Sequence, residues 1–99
     1  MKWRLRYSAE AHADLRSIKD YLYTEAGSCV AARYLRSVRD RLERLREMPR
    51  AGVAIPEYGA GARFVPCRRH LIYYELEDRA VVILRILHSA EDRDAIMRK

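Results

Sequence analysis

The sequence predicts an α+β fold, a helical hairpin packed on a mainly antiparallel four-stranded sheet, in the order β-α-α-β-β-β with a short C-terminal helix. Three observations predict it. Residues 2–7 alternate polar with apolar. Two long stretches then repeat their apolar residues every three or four positions. Three runs rich in Val, Ile and Tyr follow, before a short charged tail. With 99 residues and no linker, repeat or low-complexity stretch, the chain reads as a single domain over 1–99.

In the first strand Trp3, Leu5 and Tyr7 share one face, and Lys2, Arg4 and Arg6 the other. Ser8 is placed to cap a helix, with Glu10 in its first turn where the helix dipole favours an acid. Ala11, Leu15, Ile18 and Leu22 give that helix one buried stripe, which Tyr21 widens, and Gly27 ends it. Ser28 is the candidate cap of the second helix, whose stripe is Ala31, Tyr34, Val38, Leu42, Leu45 and Met48. Its outer face offers the pairs Arg36–Asp40, Arg39–Glu43 and Asp40–Arg44, each stabilising a helix by about 0.2–0.5 kcal/mol. Pro49 stops it at or before Met48.

Residues 49–61 hold two prolines and three glycines and read as an ordered loop. Strands are then predicted over Arg63 to Cys67, His70 to Leu76 and Ala80 to Leu87, with Glu77, Asp78 and Arg79 as the tight turn. The last is apolar on both faces, so it belongs in the centre of the sheet. Pro66 marks its strand as an edge or a bulge. In the tail, Ser89 and Asp92 form a capping-box pattern, and Arg98 and Lys99 suit the end of a short helix.

The net charge is +6, and only Lys2, Lys19 and Lys99 of the 20 cationic residues are lysines. Arginine grips carboxylate and phosphate in a planar fork, which suits an acidic protein or RNA. Cys29 and Cys67 form no C-x-x-C pair, and no histidine stands at ligand spacing. No metal and no cofactor are expected, and the cysteines read as reduced, partly buried thiols. No apolar run approaches the ~18 residues of a membrane span, and no signal-peptide core precedes the first strand. The expected location is the cytoplasm.

Four segments carry a resemblance. They are Tyr7-Ser8-Ala9-Glu10-Ala11-x-Ala13-Asp14-Leu15-x-x-Ile18, Pro49-Arg50-x-Gly52, Arg63-Phe64-Val65-Pro66-Cys67-x-x-His70-Leu71-Ile72-Tyr73-Tyr74, and Ile83-Leu84-Arg85-Ile86-Leu87-His88-x-x-x-Asp92. In this order and spacing the chain resembles the RelE/ParE toxin superfamily over nearly its whole length, and the ParE branch most closely. The resemblance implies a RelE/ParE-like fold and the toxin of a type II toxin–antitoxin system. It further implies a cognate acidic antitoxin, ParD-like, with a ribbon-helix-helix N-terminus, in a hetero-oligomer with the toxin. In the ParE branch the implied target is DNA gyrase, inhibited by binding. In the RelE branch it is mRNA on the ribosome, which is cut.

Cutting RNA at a 2′-hydroxyl requires a base, cations for the phosphate and an acid for the leaving oxygen. The lysines and the C-terminal tyrosine that RelE-like cutters use have no counterpart here. A ribonuclease reading falls back on His88, with Arg85, Arg63, Arg68 or Arg69 on the phosphate and Glu57 as base. Arg85 and His88, three apart on a strand, point to opposite faces unless the strand ends or bulges near Leu87. Arg85 interrupts an apolar strand and needs a carboxylate, with Glu75 or Asp92 the internal candidates and a partner protein the external one. His12 and His70 read as structural or solvated, and Tyr21, Tyr34, Tyr73 and Tyr74 as core. For antitoxin binding the candidates are Leu15, Ile18, Leu22, Tyr34, Arg63, Arg69 and Arg85.

Overall fold

The computed structural model describes residues 2–97. Alternation at the N-terminus yields strand β1, Arg4–Tyr7, with its arginines exposed and Leu5 and Tyr7 half-buried. Helix α1 follows over Ala9–Ala26, and its cap is Ser8, whose Oγ accepts from the Ala11 N–H at 3.0 Å. Helix α2 spans Ser28–Glu47. Gly27 alone joins the two, at a left-handed φ of 85° that a side chain would disfavour. Ser28 is therefore the first residue of α2 rather than its cap.

Both stripes are buried along most of their length, Ala11 and Ile18 from α1 and Ala31, Val38, Leu42 and Leu45 from α2. Tyr21, near the end of α1, and Met48, the residue just after α2, are exceptions; they are 67% and 63% exposed. Among the described residues none of the three predicted pairs on α2 closes to 4.0 Å, and Glu43 pairs with Arg46 instead.

The sheet has five strands in the order β1-β5-β4-β3-β2, not four. The extra strand β2, Val53–Ala54, lies inside the predicted loop and pairs with β3, Arg63–Cys67. Two residues are too few to show alternation in sequence. A 3-10 turn over Pro56–Tyr58 follows β2. Pro66 stands on β3 beyond the reach of β2, so its missing N–H falls on a free edge. Strand β4 runs His70–Glu77 and β5 Ala80–His88. Glu77 therefore ends β4, and the turn is Asp78-Arg79 alone, at φ 50° and 60°. Strand β5 is interior, antiparallel to β4 and parallel to β1, but β4 rather than β5 is the middle strand of the five.

Helices cover one face of the sheet, over Val65, Ile72, Tyr74, Val81, Ile83 and Ile86. Ile55, Ala62, Tyr73 and Leu87 form a second cluster on the other face. Helix α3, Arg93–Met97, adds Ile96 and Met97 to that second cluster. Its cap is Asp92, which accepts from the Ala95 N–H, rather than Ser89. The predicted contribution of Arg98 and Lys99 falls outside the described residues. No described helix is long and apolar enough to cross a membrane.

Tyr74 fixes the exit from α2. Its hydroxyl donates to the Pro49 carbonyl at 2.7 Å and accepts from the Gly52 N–H at 2.9 Å. A Cβ on Gly52 would stand 2.5 Å from that hydroxyl and 2.8 Å from the Phe64 carbonyl oxygen. Gly52→Ala should therefore cost about 1–3 kcal/mol in urea unfolding. A change within about 0.5 kcal/mol would mean the loop is free to move aside.

Candidate functional site

Two features organise the end of the sheet where β5 stops. The first is a β-bulge. Tyr74 pairs with Ile83 and Tyr73 with Arg85, so Leu84 has no cross-strand partner. The bulge shifts the register by one and sets His88 opposite His70. Leu84 turns its carbonyl to the Ser8 hydroxyl at 2.7 Å.

The second feature is Asp14. Beyond Ile83, β5 has outrun β1, and its N–H groups need another acceptor. Helix α1 supplies Asp14, whose Oδ2 accepts from the Ile86 N–H and from Arg85 Nε, both at 2.9 Å. Oδ1 takes Arg85 Nη2 at 2.9 Å. The guanidinium is held in a two-pronged pair, and that hydrogen-bonded carboxylate raises its pKa. The partner predicted as Glu75 or Asp92 is thus Asp14, which no strand register points to.

Between α1, α2 and the sheet end lies an open groove of about 700 Å³. Ile18, Tyr21, Leu22, Val30 and Tyr34 give it apolar walls, and Arg68, Arg69, His70 and His88 form its polar end. At its centre the Arg69 N–H donates to the Tyr34 oxygen at 3.1 Å, and the same hydroxyl shares a 2.6 Å hydrogen bond with Nδ1 of His70. The His88 ring meets it edge to face at 5.4 Å between centroids, with its own Nδ1 accepting from Ala90 N–H. Arg68 bonds Ser37 and lies over the Tyr34 ring.

Burial, reinforced by His88, lowers the pKa of His70 below its ordinary 6.5, while Glu91 and Asp14 oppose the shift. Tyr34, Arg68 and Arg69 complete the groups around it. An unfolded chain takes up this proton more readily than the folded one, so the stability tied to the neutral ring is full above pH 6.5 and lost as pH falls through the depressed value. Thermal midpoints should therefore drop on acidification below that point. His70→Gln should flatten the slope, and an unchanged slope would assign it to other groups.

The predicted residues separate into three sets. Ile18, Leu22, Tyr34, Arg68, Arg69 and His88 line the groove. Leu15 packs into the helix-side core. Arg85 is spoken for by Asp14, and Arg63 by the Arg50 and Gly52 carbonyls at 3.2 and 2.7 Å. Glu57 sits in the 3-10 turn, whose neighbours Ile55 and Tyr58 pack on the face opposite the helices. Glu57 is not among the residues that line the groove with His88. Of the tyrosines, Tyr73 and Tyr74 are core, Tyr34 is a groove wall and Tyr21 is exposed. His70 is a groove residue that sequence reasoning set aside, and Tyr21 and Val30 are others that it missed as surface. Both thiols are free, but Cys29 is exposed and only Cys67 is buried. Among the described residues no three His, Cys, Asp or Glu side chains gather to hold a metal.

The chain matches the family described as ParE toxin of type II toxin–antitoxin system, parDE, over residues 5–93. Among solved structures it is similar to the chromosomal ParDE system from P. aeruginosa, with a TM-score of 0.74 and 20% identity over 88% of this chain and 96% of that one. It is also similar to the toxin–antitoxin complex RelBE2 from Mycobacterium tuberculosis, with a TM-score of 0.64 and 22% identity over 89% and 99% of the two chains. At such identities the likeness is one of fold. No curated protein matches the chain.

Proposed function

Because the chain belongs to the ParE toxin family of type II toxin–antitoxin systems, we propose that it inhibits DNA gyrase by binding it and is neutralised by a ParD-like antitoxin. The observation that carries the antitoxin half is the groove. Its apolar walls lie on α1 and α2, its cations at one end, and the described tail packs on the opposite face of the sheet. An amphipathic acidic segment fits such a site, its apolar side against Leu22, Val30 and Tyr34 and its carboxylates toward Arg68 and Arg69. The two solved structures described above are toxin–antitoxin systems, which supports the same reading. Apolar burial should dominate the affinity, so binding should be nanomolar or tighter and weaken only partly with salt. Affinity that vanished at moderate salt would count against it.

A non-catalytic action on gyrase is favoured over RNA cleavage by how the alternative residues are engaged. Arg63 and Arg85 are occupied by internal bonds, and Glu57 is not among the residues that line the groove with His88. The test is a gyrase supercoiling and DNA-cleavage assay run beside an in-vitro translation assay. Gyrase trapped on cut DNA with intact translation is the expected result. Cleaved transcripts that disappear with His88→Ala would overturn it. Arg85→Ala is a poor probe, because it also breaks the Asp14 pair.

A further inference from the structure

The opposite end of the β4–β5 hairpin carries a second cationic feature. Trp3, the only tryptophan, is pinned to α2 by two bonds, its N–H to the Arg46 carbonyl at 2.9 Å and its own carbonyl to Arg46 Nε at 2.7 Å. Arg50, from the loop after α2, lies over its ring at 5.6 Å, and Arg79, from the β4–β5 turn, at 5.8 Å. Arg4 adds a third guanidinium, bonded to the Asp78 carbonyl at 3.1 Å.

Two details mark this cluster as more than a solvated face. Arg79 has φ 60° in a two-residue turn whose second position favours glycine. A residue kept in an unfavourable backbone state points to a use for its side chain. Also, the arginines over Trp3 are not held by acids, although Asp78 directly precedes Arg79 in the turn. Glu43 holds Arg46 and Glu47 holds Lys2, and neither Arg50 nor Arg79 has a carboxylate within 4.0 Å among the described residues.

We propose that Arg50 and Arg79, which lie over Trp3, and Arg4, bonded to the same β4–β5 turn, contact the phosphodiester backbone of duplex DNA without regard to sequence. Three cations fixed on three separate segments suit the rigid, regular charge of a duplex. An acidic peptide would need an apolar anchor site here, and the large aromatic surface present is occupied by guanidinium groups. The same occupancy disfavours single strands, which bind by stacking bases on open aromatic faces. This inference goes beyond inhibition of gyrase and does not depend on it.

Trp3 is its own reporter. Its fluorescence is followed while the purified chain is titrated with a short random duplex, without gyrase, across a salt series. Binding that falls steeply with salt is expected, with an affinity loss of about eightfold at 0.1 M salt for each phosphate contact removed by Arg79→Gly or Arg50→Ala. Arg79→Gly relieves the turn, so its thermal midpoint should equal or exceed that of the parent, which separates lost contact from lost fold. The proposal is overturned by any of four results: no binding to the duplex at low salt; binding indifferent to both substitutions; a charge-matched acidic peptide that binds as well; or single-stranded RNA that binds more tightly.

Discussion

Replacing Asp14 by alanine should lower the thermal midpoint by about 10–20 °C, at about 4–8 °C per kcal/mol for a domain of this size. The carboxylate performs two tasks at once. It closes the edge of β5 by accepting from Ile86 N–H, and it neutralises Arg85 through two further bonds. Its removal leaves a backbone donor without an acceptor and a guanidinium without a charge partner. Breaking a fully buried pair costs about 3–5 kcal/mol. Here the side chains are 26% and 13% exposed, so solvent reclaims part of that loss and about 2–3 kcal/mol is expected. Asp14→Asn should lose less, because an amide oxygen still accepts from Ile86. Arg85→Leu should also lose less, because Asp14 then keeps the strand edge and stays near solvent. Calorimetry on the three variants checks the order. A shift of under about 3 °C for Asp14→Ala would mean that water or another side chain takes over the edge.

The same carboxylate shows where sequence reading stops. The order of the predicted elements, the Ser8 cap, the interior place of β5 and a free edge at Pro66 follow from local signals and appear in the structure, although β3 is itself flanked by β2 over Arg63 and Phe64. What local signals miss is the one-residue bulge at Leu84. Counting back from the Asp78-Arg79 turn pairs His70 with Leu87 and sends His88 elsewhere. The bulge slips the register by one and brings the two imidazoles together. No residue type demands a bulge at Leu84, and the contact made there, the Ser8 hydroxyl on the Leu84 carbonyl, is tertiary. Asp14 is similar. On α1 it reads as an ordinary polar residue of the helix, and only the early end of β1 turns it toward the strand. The two-residue strand β2 was hidden for a simpler reason, its length. The groove itself was half legible. Ile18, Leu22 and Tyr34 follow from the apolar stripes, whereas Tyr21 and Val30 are exposed.

That exposed pair gives the largest expected effect on binding. Tyr21→Ala combined with Val30→Ala should weaken the antitoxin complex about 100-fold, at about 1.5 kcal/mol for each apolar anchor lost from a buried contact. Both side chains are substantially exposed in the free chain, at 67% and 46%. Truncating them should therefore change folding stability by no more than about 0.5 kcal/mol each. Met48 and Val53 supply the control, being 63% and 59% exposed but outside the groove. Met48→Ala with Val53→Ala removes comparable apolar surface and should leave antitoxin affinity unchanged. Charge reversal at Arg68 and Arg69 should act differently, slowing association and steepening with falling salt, because a rim charge steers encounter more than it holds the complex. Calorimetric titration against the cognate antitoxin measures the first two pairs, and stopped-flow association the third. If the Met48 and Val53 pair weakened binding as much as the Tyr21 and Val30 pair, the antitoxin would lie across another surface. The groove would then have to be kept open for the target instead.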